Sequence, residues 1–203
     1  ISASPYHIGK IGDREKMLYA RSTDNRASFL YVNMVGGQDE LVFDGSSMLV
    51  DCEGRTVSRA ESFKEDFLLC DINNSGIASA RLQDAKYKNQ RTRLASEIKK
   101  PMLIDLDLMS GQNTKPDKKH EKKPFLSKDY SVLKPEEEIF SALTLATRDY
   151  IIKNGFNKAV FGLSGGIDSA LVAIIAAYAI GEENVTGIIM PSMYSSQESI
   201  TDS

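Results

Sequence analysis

The chain has 203 residues, of which 41% are hydrophobic and 26% charged, and its formal net charge at pH 7 is −3. These values are typical of a globular protein. The longest apolar run, residues 170–180, is too short to cross a bilayer, so we expect no membrane partner. Two cysteines without a spacing pattern argue against a disulfide scaffold and favour a reducing, cytoplasmic location.

The charges are unevenly distributed along the chain. Residues 1–72 carry 8 basic and 12 acidic side chains, residues 81–128 carry 13 and 6, and residues 129–203 carry 4 and 10. A basic middle can bind nucleic acid. However, no aromatic stacking residues are interleaved there, so we favour a solvated connector and expect no nucleic-acid partner.

The first 72 residues predict a strand, a helix, a second strand and then hairpins. In the helix, Leu18 is one of the apolar residues, and Arg14 is predicted to face outward. Two glycine-containing pairs are predicted to be hairpin turns, Asp44-Gly45 and Glu53-Gly54. The predicted elements are a strand end over 1–5, a helix over 9–25, strands over 29–35, 41–43, 47–50, 56–57 and 67–72, with Gly36-Gly37 ending the second strand.

The cysteines and histidines do not form a recognisable catalytic or metal site. Cys52 lies in the predicted turn after Asp51, and no His or Lys is placed nearby to activate it, so we do not expect it to be a nucleophile. Cys70 is predicted to be a small core residue of an alternating strand. His7 and His120 lack metal-ligand spacing.

Apolar periodicity weakens over residues 73–130, where we place the connector between two domains. Residues 85–99 are predicted to be helical. Residues 110–123 lack apolar side chains and are predicted to form a mobile surface loop.

Residues 131–203 predict a helix followed by a strand–helix–strand unit with parallel strands. The first helix, 135–154, begins with Pro135 and three glutamates and ends before Gly155. Its core face is predicted to comprise Ile139, Leu143, Ala146 and Tyr150. The unit consists of a strand over 158–163, a helix ending at Ile180 and a strand over 185–190.

The turn between the first strand of this unit and its helix reads Ser164-Gly165-Gly166-Ile167-Asp168-Ser169. Glycines allow the backbone to turn sharply and to approach a bulky anion, and a following helix directs its free N–H groups at the turn. The turn is not a Walker A motif, since it has no lysine. One alternative is a glycine-rich turn of an unrelated parallel α/β protein.

The motif resembles the S-G-G-x-D-S signature of the PP-loop ATP pyrophosphatases, which cleave ATP between its α and β phosphates. This resemblance implies ATP and Mg²⁺ as cofactors, with Asp168 as a metal ligand. An alternative role for Asp168 is a helix N-cap. The implied ATP- and pyrophosphate-binding residues are Gly162, Leu163, Ser164, Gly165, Gly166, Ile167, Asp168, Ser169, Pro191, Ser192, Ser195 and Ser196.

Three sequence segments in the first half are similar to the glutaminase domain of glutamine-dependent NAD synthetases. They are Ser2-Ala3-Ser4-Pro5-Tyr6, Arg14-Glu15-Lys16-Met17-Leu18 and residues 31–47. That family joins a nitrilase-type amidase to a PP-loop synthetase. The fold class implied is α/β: residues 1–72 form the C-terminal part of a nitrilase-like α/β sandwich. After the connector 73–130, residues 131–203 begin a doubly wound parallel-sheet PP-loop domain of the adenine nucleotide alpha hydrolase type.

The implied reaction is ATP-dependent amidation of deamido-NAD to NAD with ammonia from glutamine, and the implied assembly is a homo-oligomer. The Glu–Lys–Cys catalytic set of such amidases is expected upstream of Ile1, so we predict no catalytic nucleophile here and expect the chain to be an inactive fragment. Ser2 and Ser4 are candidates for glutamine binding, or they satisfy local backbone groups. Glu40 either lines that pocket or lies on a hairpin surface.

Met193 departs from the family pattern, because relatives often carry arginine there. Two alternatives to the NAD synthetase hypothesis remain. One is another PP-loop amidotransferase, such as a GMP or asparagine synthetase. The other is a non-catalytic nucleotide-binding piece.

Overall fold

The computed structural model describes residues 3–97 and 132–190, which form a mixed α/β fold. The helices of this part are α1 (Lys10–Asn25), α2 (Asn74–Gln83), α3 (Ala85–Glu97), α4 (Pro135–Lys153) and α5 (Ile167–Ile180). Its strands are β1 (Phe29–Tyr31), β2 (Val35–Gln38), β3 (Leu41–Asp44), β4 (Met48–Val50), β5 (Thr56–Arg59), β6 (Ala159–Leu163) and β7 (Val185–Ile189). None of these helices is long and apolar enough to span a membrane.

The strands of the first half belong to two antiparallel sheets. One sheet has the order β1-β4-β5, and the other is the hairpin β2-β3. The predicted turn at Glu53-Gly54 joins β4 to β5 and is confirmed. The predicted hairpin at Asp44-Gly45 is wrong, since this turn carries the chain from one sheet to the other. Gly45 adopts the positive φ of a tight turn, at 66°. However, the strands on either side of it do not pair with each other, because strand pairing depends on the tertiary surroundings of each strand.

The glycines Gly36 and Gly37 were predicted to end a strand, and this prediction is wrong. They lie inside β2, where they pair with Phe43 and Val42 of β3. The hairpin turn is Asp39-Glu40 instead, with φ of Asp39 at 51°. The pair therefore marks a place where another element approaches the strand closely.

Helix α1 covers the three-stranded sheet with Leu18, which packs on Met48 and Val50. The outward orientation predicted for Arg14 is wrong, because its side chain is only 3% exposed and faces Asp44. Both terminal nitrogens of Arg14 donate to the Asp44 carboxylate at 2.7 Å. Burial alone would lower the pKa of Arg14, but these hydrogen bonds and the charge of Asp44 raise it.

Residues 67–72 were predicted to form a strand, but the structure shows irregular chain there. Phe67 is 80% exposed, so the alternating pattern does not correspond to a buried sheet face. Residues 3–5 are irregular as well, whereas α2 had no predicted counterpart. The predicted loop 110–123 lies outside the described residues.

Helix α4, strand β6, helix α5 and strand β7 confirm the predicted order of the second half, and β6 pairs with β7 in parallel. The predicted core face of α4 is wrong for Ile139, Leu143 and Tyr150, which are exposed, whereas Ala146 is half-buried against Gly37. The buried residues are Ala142 and Leu145, which pack against Phe63 of the first half. The prediction assumed a single apolar stripe along α4. The helix instead packs against the β2-β3 hairpin on one side and against α5 on another.

Tyr6 lies where the two halves meet. Its ring meets Phe63 edge-on, with 5.1 Å between centroids, and its N–H donates to the carbonyl oxygen of Val42. Burial, and then the Glu138 carboxylate, raises the pKa of Tyr6 to about 12. Neither the Tyr6 hydroxyl nor Oε1 of Glu138 has a hydrogen-bond partner of regular geometry, so we ascribe the effect of Glu138 to its charge.

We therefore expect folding to favour the neutral form of Tyr6. A pKa raised from 10.0 to about 12 stabilises the fold below pH 10, and this contribution is lost as the pH rises toward 12. Tyr6→Phe should remove this part of the pH dependence of the unfolding free energy. Titration of tyrosine absorbance near 295 nm in the folded wild type and the variant measures the same shift. Two curves that differ by a group titrating at its ordinary value of 10.0 would contradict the prediction.

Candidate nucleotide-binding site

The predicted phosphate loop lies directly between β6 and α5. Strand β6 ends at Leu163, residues 164–166 turn, and α5 begins at Ile167. Gly165 has φ at 73°, a left-handed backbone that glycine adopts without steric cost. The strand–turn–helix geometry is thus the one that the motif requires.

Two serines hold the loop in shape through hydrogen bonds. The Ser169 hydroxyl donates to the carbonyl oxygen of Gly166 at 2.8 Å and lies 3.1 Å from the Ser164 hydroxyl. The N–H of Ser164 donates to Ser169 Oγ at 3.3 Å, and the N–H of Gly166 donates to Ser164 Oγ at 3.4 Å. Ser169 is therefore the centre of the loop's internal network.

Helix α5 directs its first turn at this loop. The first N–H groups of a helix have no partner within the helix, and its N-terminus carries a partial positive charge. Asp168 lies in that first turn and is exposed, whereas the N-cap is Gly166. The alternative role of Asp168 as an N-cap is thus wrong, and its role as a metal ligand stays a prediction.

The ends of β6 and β7 lie side by side, with Leu163 opposite Ile189. Any segment that follows β7 therefore starts beside the loop, at the edge where ligands bind in parallel α/β sheets. Met190 covers Gly162, since a Cβ added to Gly162 would lie 2.7 Å from the Met190 Cε. The predicted contacts Pro191, Ser192, Ser195 and Ser196, together with Met193, lie outside the described residues.

In the first half, Ser4 is held by a buried polar network that the sequence did not indicate. The Ser4 N–H donates to Asn33 Oδ1 at 2.9 Å, and the Ser4 carbonyl accepts from Arg14 at 3.1 Å and from Asn33 at 3.2 Å. Asn33 also lies 3.4 Å from the Asp44 carboxylate. A sequence signal for this network would have been Arg14, a charged residue beside the apolar residues of the predicted helix. Ser2 lies outside the described residues.

The positions of Cys52 and Glu40 agree with expectation. Cys52 is buried in the turn between β4 and β5, where Asp51 Oδ1 accepts the N–H groups of Glu53 and Arg55 at 2.9 Å. Glu40 is exposed on the β2-β3 turn, as the hairpin-surface interpretation predicts.

Cys70 lies on irregular chain and is only partly buried, so its predicted place in a core strand is wrong. Burial and then Asp71 raise the pKa of its thiol, which disfavours the reactive thiolate. Across residues 3–97 and 132–190, no three His, Cys, Asp or Glu side chains cluster as a metal site.

Comparison with known sequences agrees with both halves of the chain. Residues 139–203 match the family model described as NAD synthase. The chain is 42% identical over its whole length to the glutamine-dependent NAD(+) synthetase of Aquifex aeolicus, covering 33% of that protein. It is 41% identical to the enzyme of the same name from Thermotoga maritima, again over the whole chain and 33% of the relative. The chain thus spans about a third of the length of these curated relatives.

Solved structures show the same relationship. The chain superimposes with a TM-score of 0.71 on a glutamine-dependent NAD+ synthetase from Acinetobacter baumannii in complex with ADP, at 31% identity. That match covers 98% of this chain and 29% of the other. A glutamine-dependent NAD(+) synthetase from Cytophaga hutchinsonii, 18% identical, matches with a TM-score of 0.62 over 98% of this chain and 32% of its own. The resemblance predicted from the sequence is confirmed.

Proposed function

We propose that this chain contributes to ATP-dependent NAD synthesis as part of a carbon–nitrogen ligase. The chain is similar along its whole length to glutamine-dependent NAD(+) synthetases. In this reaction ATP adenylylates the nicotinate carboxylate of deamido-NAD and pyrophosphate leaves. Glutamine is hydrolysed by water to glutamate and ammonia, and the ammonia then displaces AMP to give NAD. The observation that carries the proposal is the similarity over all of the chain, since a phosphate loop alone fits many acceptors.

The architecture proposed for this function has two domains. Residues 1–72 supply part of a nitrilase-type glutaminase, residues 73–130 connect, and residues 131–203 supply part of a doubly wound PP-loop domain. The parallel β6-β7 pair with α5 between its strands supports the second assignment. We also propose that the functional enzyme is a homo-oligomer, as the resemblance implies.

The loop of this chain is suited to hold the phosphates of ATP. The backbone N–H groups of Gly165, Ile167 and Asp168 would donate to the phosphates, and the α5 N-terminus adds a favourable dipole. Ser164 and Ser169 hold the loop in this shape through the hydrogen bonds described above. The segment after β7, with Pro191, Ser192, Ser195 and Ser196, is proposed to contact the nucleotide from the neighbouring strand end. Leaving pyrophosphate gathers negative charge, which such preorganised donors stabilise.

Asp168 is the residue that would hold a Mg²⁺ ion beside the phosphates. A lone carboxylate beside phosphates would repel them, whereas a Mg²⁺ ion takes one or two carboxylates and completes its shell with phosphate oxygens and water. Exposure in the first turn of α5 leaves the Asp168 side chain free to reach such an ion. When bound, the ion would offset phosphate charge.

On the glutamine side, the chain contributes binding residues and no nucleophile. Ser4, fixed by Asn33 and Arg14, and Ser2 before it are proposed to line the glutamine pocket. Neither Cys52, buried in a turn, nor Cys70, whose thiol pKa is raised, suits attack on an amide. The Glu–Lys–Cys set of the amidase is proposed to lie outside residues 1–203.

A chimera tests the proposal. Residues 1–203 would replace the aligned third of the Aquifex aeolicus relative, and NAD formation would be measured with glutamine and, separately, with ammonia. We expect both activities to persist. A folded chimera that binds ATP but forms no NAD would favour a different PP-loop amidotransferase. One that binds no ATP would remove the nucleotide assignment altogether.

Within that chimera, Ser169→Ala should weaken the loop that Ser169 organises. Loss of its hydroxyl breaks three hydrogen bonds of the loop at once, and each neutral hydrogen bond contributes about 1 kcal/mol. We expect the kcat/KM for ATP in the ammonia reaction to fall by about ten- to hundredfold. Ser75→Ala, on the distant helix α2, is the matched control and should leave it unchanged. An unaltered kcat/KM in Ser169→Ala would contradict the role of the loop.

A further inference from the structure

The two halves of the chain meet where α4 lies against strand β2, and both backbone polar groups of one residue are bound there. The N–H of Gly37 donates to Asp149 Oδ2 at 2.8 Å, and the carbonyl oxygen of Gly37 accepts from Lys153 Nζ at 2.5 Å. Asp149 and Lys153 also pair with each other at 3.0 Å. Residues four apart share one face of a helix, so both side chains reach the same strand.

Strand pairing explains why Gly37 offers both groups to the helix. In the β2-β3 hairpin, Gln38 and Leu41 flank a two-residue turn, and Gly37 lies opposite Val42. The pair next to the turn is hydrogen-bonded, and the following pair turns its N–H and C=O groups outward. The outward groups of Val42 and Gly37 are indeed used elsewhere, by Tyr6 and by α4. Two side chains of α4 thus take the place that a neighbouring strand would have.

The contact requires glycine. A Cβ on Gly37 would lie 3.0 Å from the Ala146 Cα, and one on Gly36 would lie 2.9 Å from Asp149 Oδ2. Gly36 also has φ at 142°, which L-residues rarely adopt. The Gly36-Gly37 pair is therefore shaped for the approach of α4.

The Asp149 side chain is 13% exposed, and the balance of forces keeps it charged. Burial alone would raise its pKa, but the Gly37 N–H, Lys153 and Arg148 outweigh burial and lower the pKa. Beside this contact runs a cleft of about 520 Å³ that Phe63, Lys64 and Arg148 help to line. Polar contacts, rather than continuous packing, hold the halves together along this edge.

We propose that Asp149 and Lys153 are positioning residues that seat α4 on the β2-β3 hairpin, a contact we term the hairpin latch. Helix α4 packs on α5, with Phe140 edge-on to Tyr178 at 5.2 Å, and α5 carries the phosphate loop at its N-terminus. The latch thus fixes the loop relative to the first half. Its consequence for catalysis rests on the proposed function: glutamine-dependent NAD formation, which needs both halves in register, depends on the latch more than ammonia-dependent formation does.

Hydrogen exchange of the Gly37 amide in the ¹⁵N-labelled chain tests the latch without any activity. We expect Asp149→Ala to speed exchange of this amide by about tenfold or more, because a hydrogen bond to a charged acceptor is lost. Asp149→Asn, which keeps an acceptor oxygen, should restore part of the protection. Glu136→Ala, an exposed acid of the same helix, should have no effect. Unchanged Gly37 exchange in Asp149→Ala would overturn the proposal.

The pH dependence of the Gly37 amide proton shift is a second test of the same contact. Since the pKa of Asp149 is lowered, the latch is complete above the ordinary value of 3.8 and is lost as the pH falls through the lower, folded value. The Gly37 amide proton shift should follow this titration below pH 3.8, and the charged groups that face Asp149 are Lys153 and Arg148. A shift that does not change with pH in this range would count against the contact.

Activity is measured in the chimera with both nitrogen donors. Asp149→Ala should lower glutamine-dependent NAD formation about tenfold and change ammonia-dependent formation by no more than about twofold, and Asp149→Asn should recover part of the loss. An equal loss with both donors would overturn the positioning role. A wild-type chimera that forms no NAD would count against the proposed function alone, since the exchange of Gly37 decides the latch independently.

Discussion

Replacing Asp44 by asparagine is expected to lower the free energy of unfolding by about 3–5 kcal/mol, because it leaves the Arg14 guanidinium buried without its counter-charge. The Asp44 side chain is 0% exposed and the Arg14 side chain 3%, so water cannot solvate the orphaned charge. The change also weakens the hold on Ser4 and Asn33, which share this network. Urea denaturation followed by circular dichroism measures the loss.

Asp13→Asn is the matched control. Asp13 pairs with Lys16 at 3.7 Å on the same helix, but the two side chains are 63% and 83% exposed. Exposed pairs contribute little, so the expected change is within about 0.5 kcal/mol. A double variant, Arg14→Met with Asp44→Leu, should regain part of the stability that Asp44→Asn loses, because neither charge remains buried. A loss below about 1 kcal/mol in Asp44→Asn would show that the pair is not important for stability.

The sequence predicted elements where local chemistry is strong. Pro135 and the three glutamates after it, with Gly155 behind, placed α4 within a residue of its observed ends. The apolar run before Ser164 and the glycine pair after it predicted β6, the loop and α5. These signals act within a few residues of chain, so tertiary contacts do not override them.

Predictions failed where a distant partner decides the outcome. Arg14 looks like a surface residue of α1 until Asp44, thirty positions later, is placed opposite it. Gly36-Gly37 looks like a strand end until Asp149, more than a hundred positions later, is bonded to Gly37. Periodicity carries no information about either partner. In the candidate site, the order of the motif was predictable, whereas the Ser169-centred hydrogen bonds required coordinates.

Gly165→Val is expected to reduce the kcat/KM for ATP of the ammonia-dependent reaction by about a hundredfold or more in the chimera. At φ of 73°, an L-residue costs roughly 1–2 kcal/mol, and a β-branched residue is a clear outlier. Relief of that strain would reorient the N–H of Gly165, which is proposed to face the phosphates.

Gly155→Val separates the strain from the role of the loop. Gly155 has φ at 81° and no atom within 4 Å of an added Cβ, so the backbone penalty is matched while the position is remote from the phosphate loop. Both variants should therefore lose a similar amount of stability in urea denaturation. Only Gly165→Val should lose ATP turnover, because only there does the backbone face the proposed ligand. Equal kcat/KM values in the two variants would mean that the loop does not hold the phosphates of ATP.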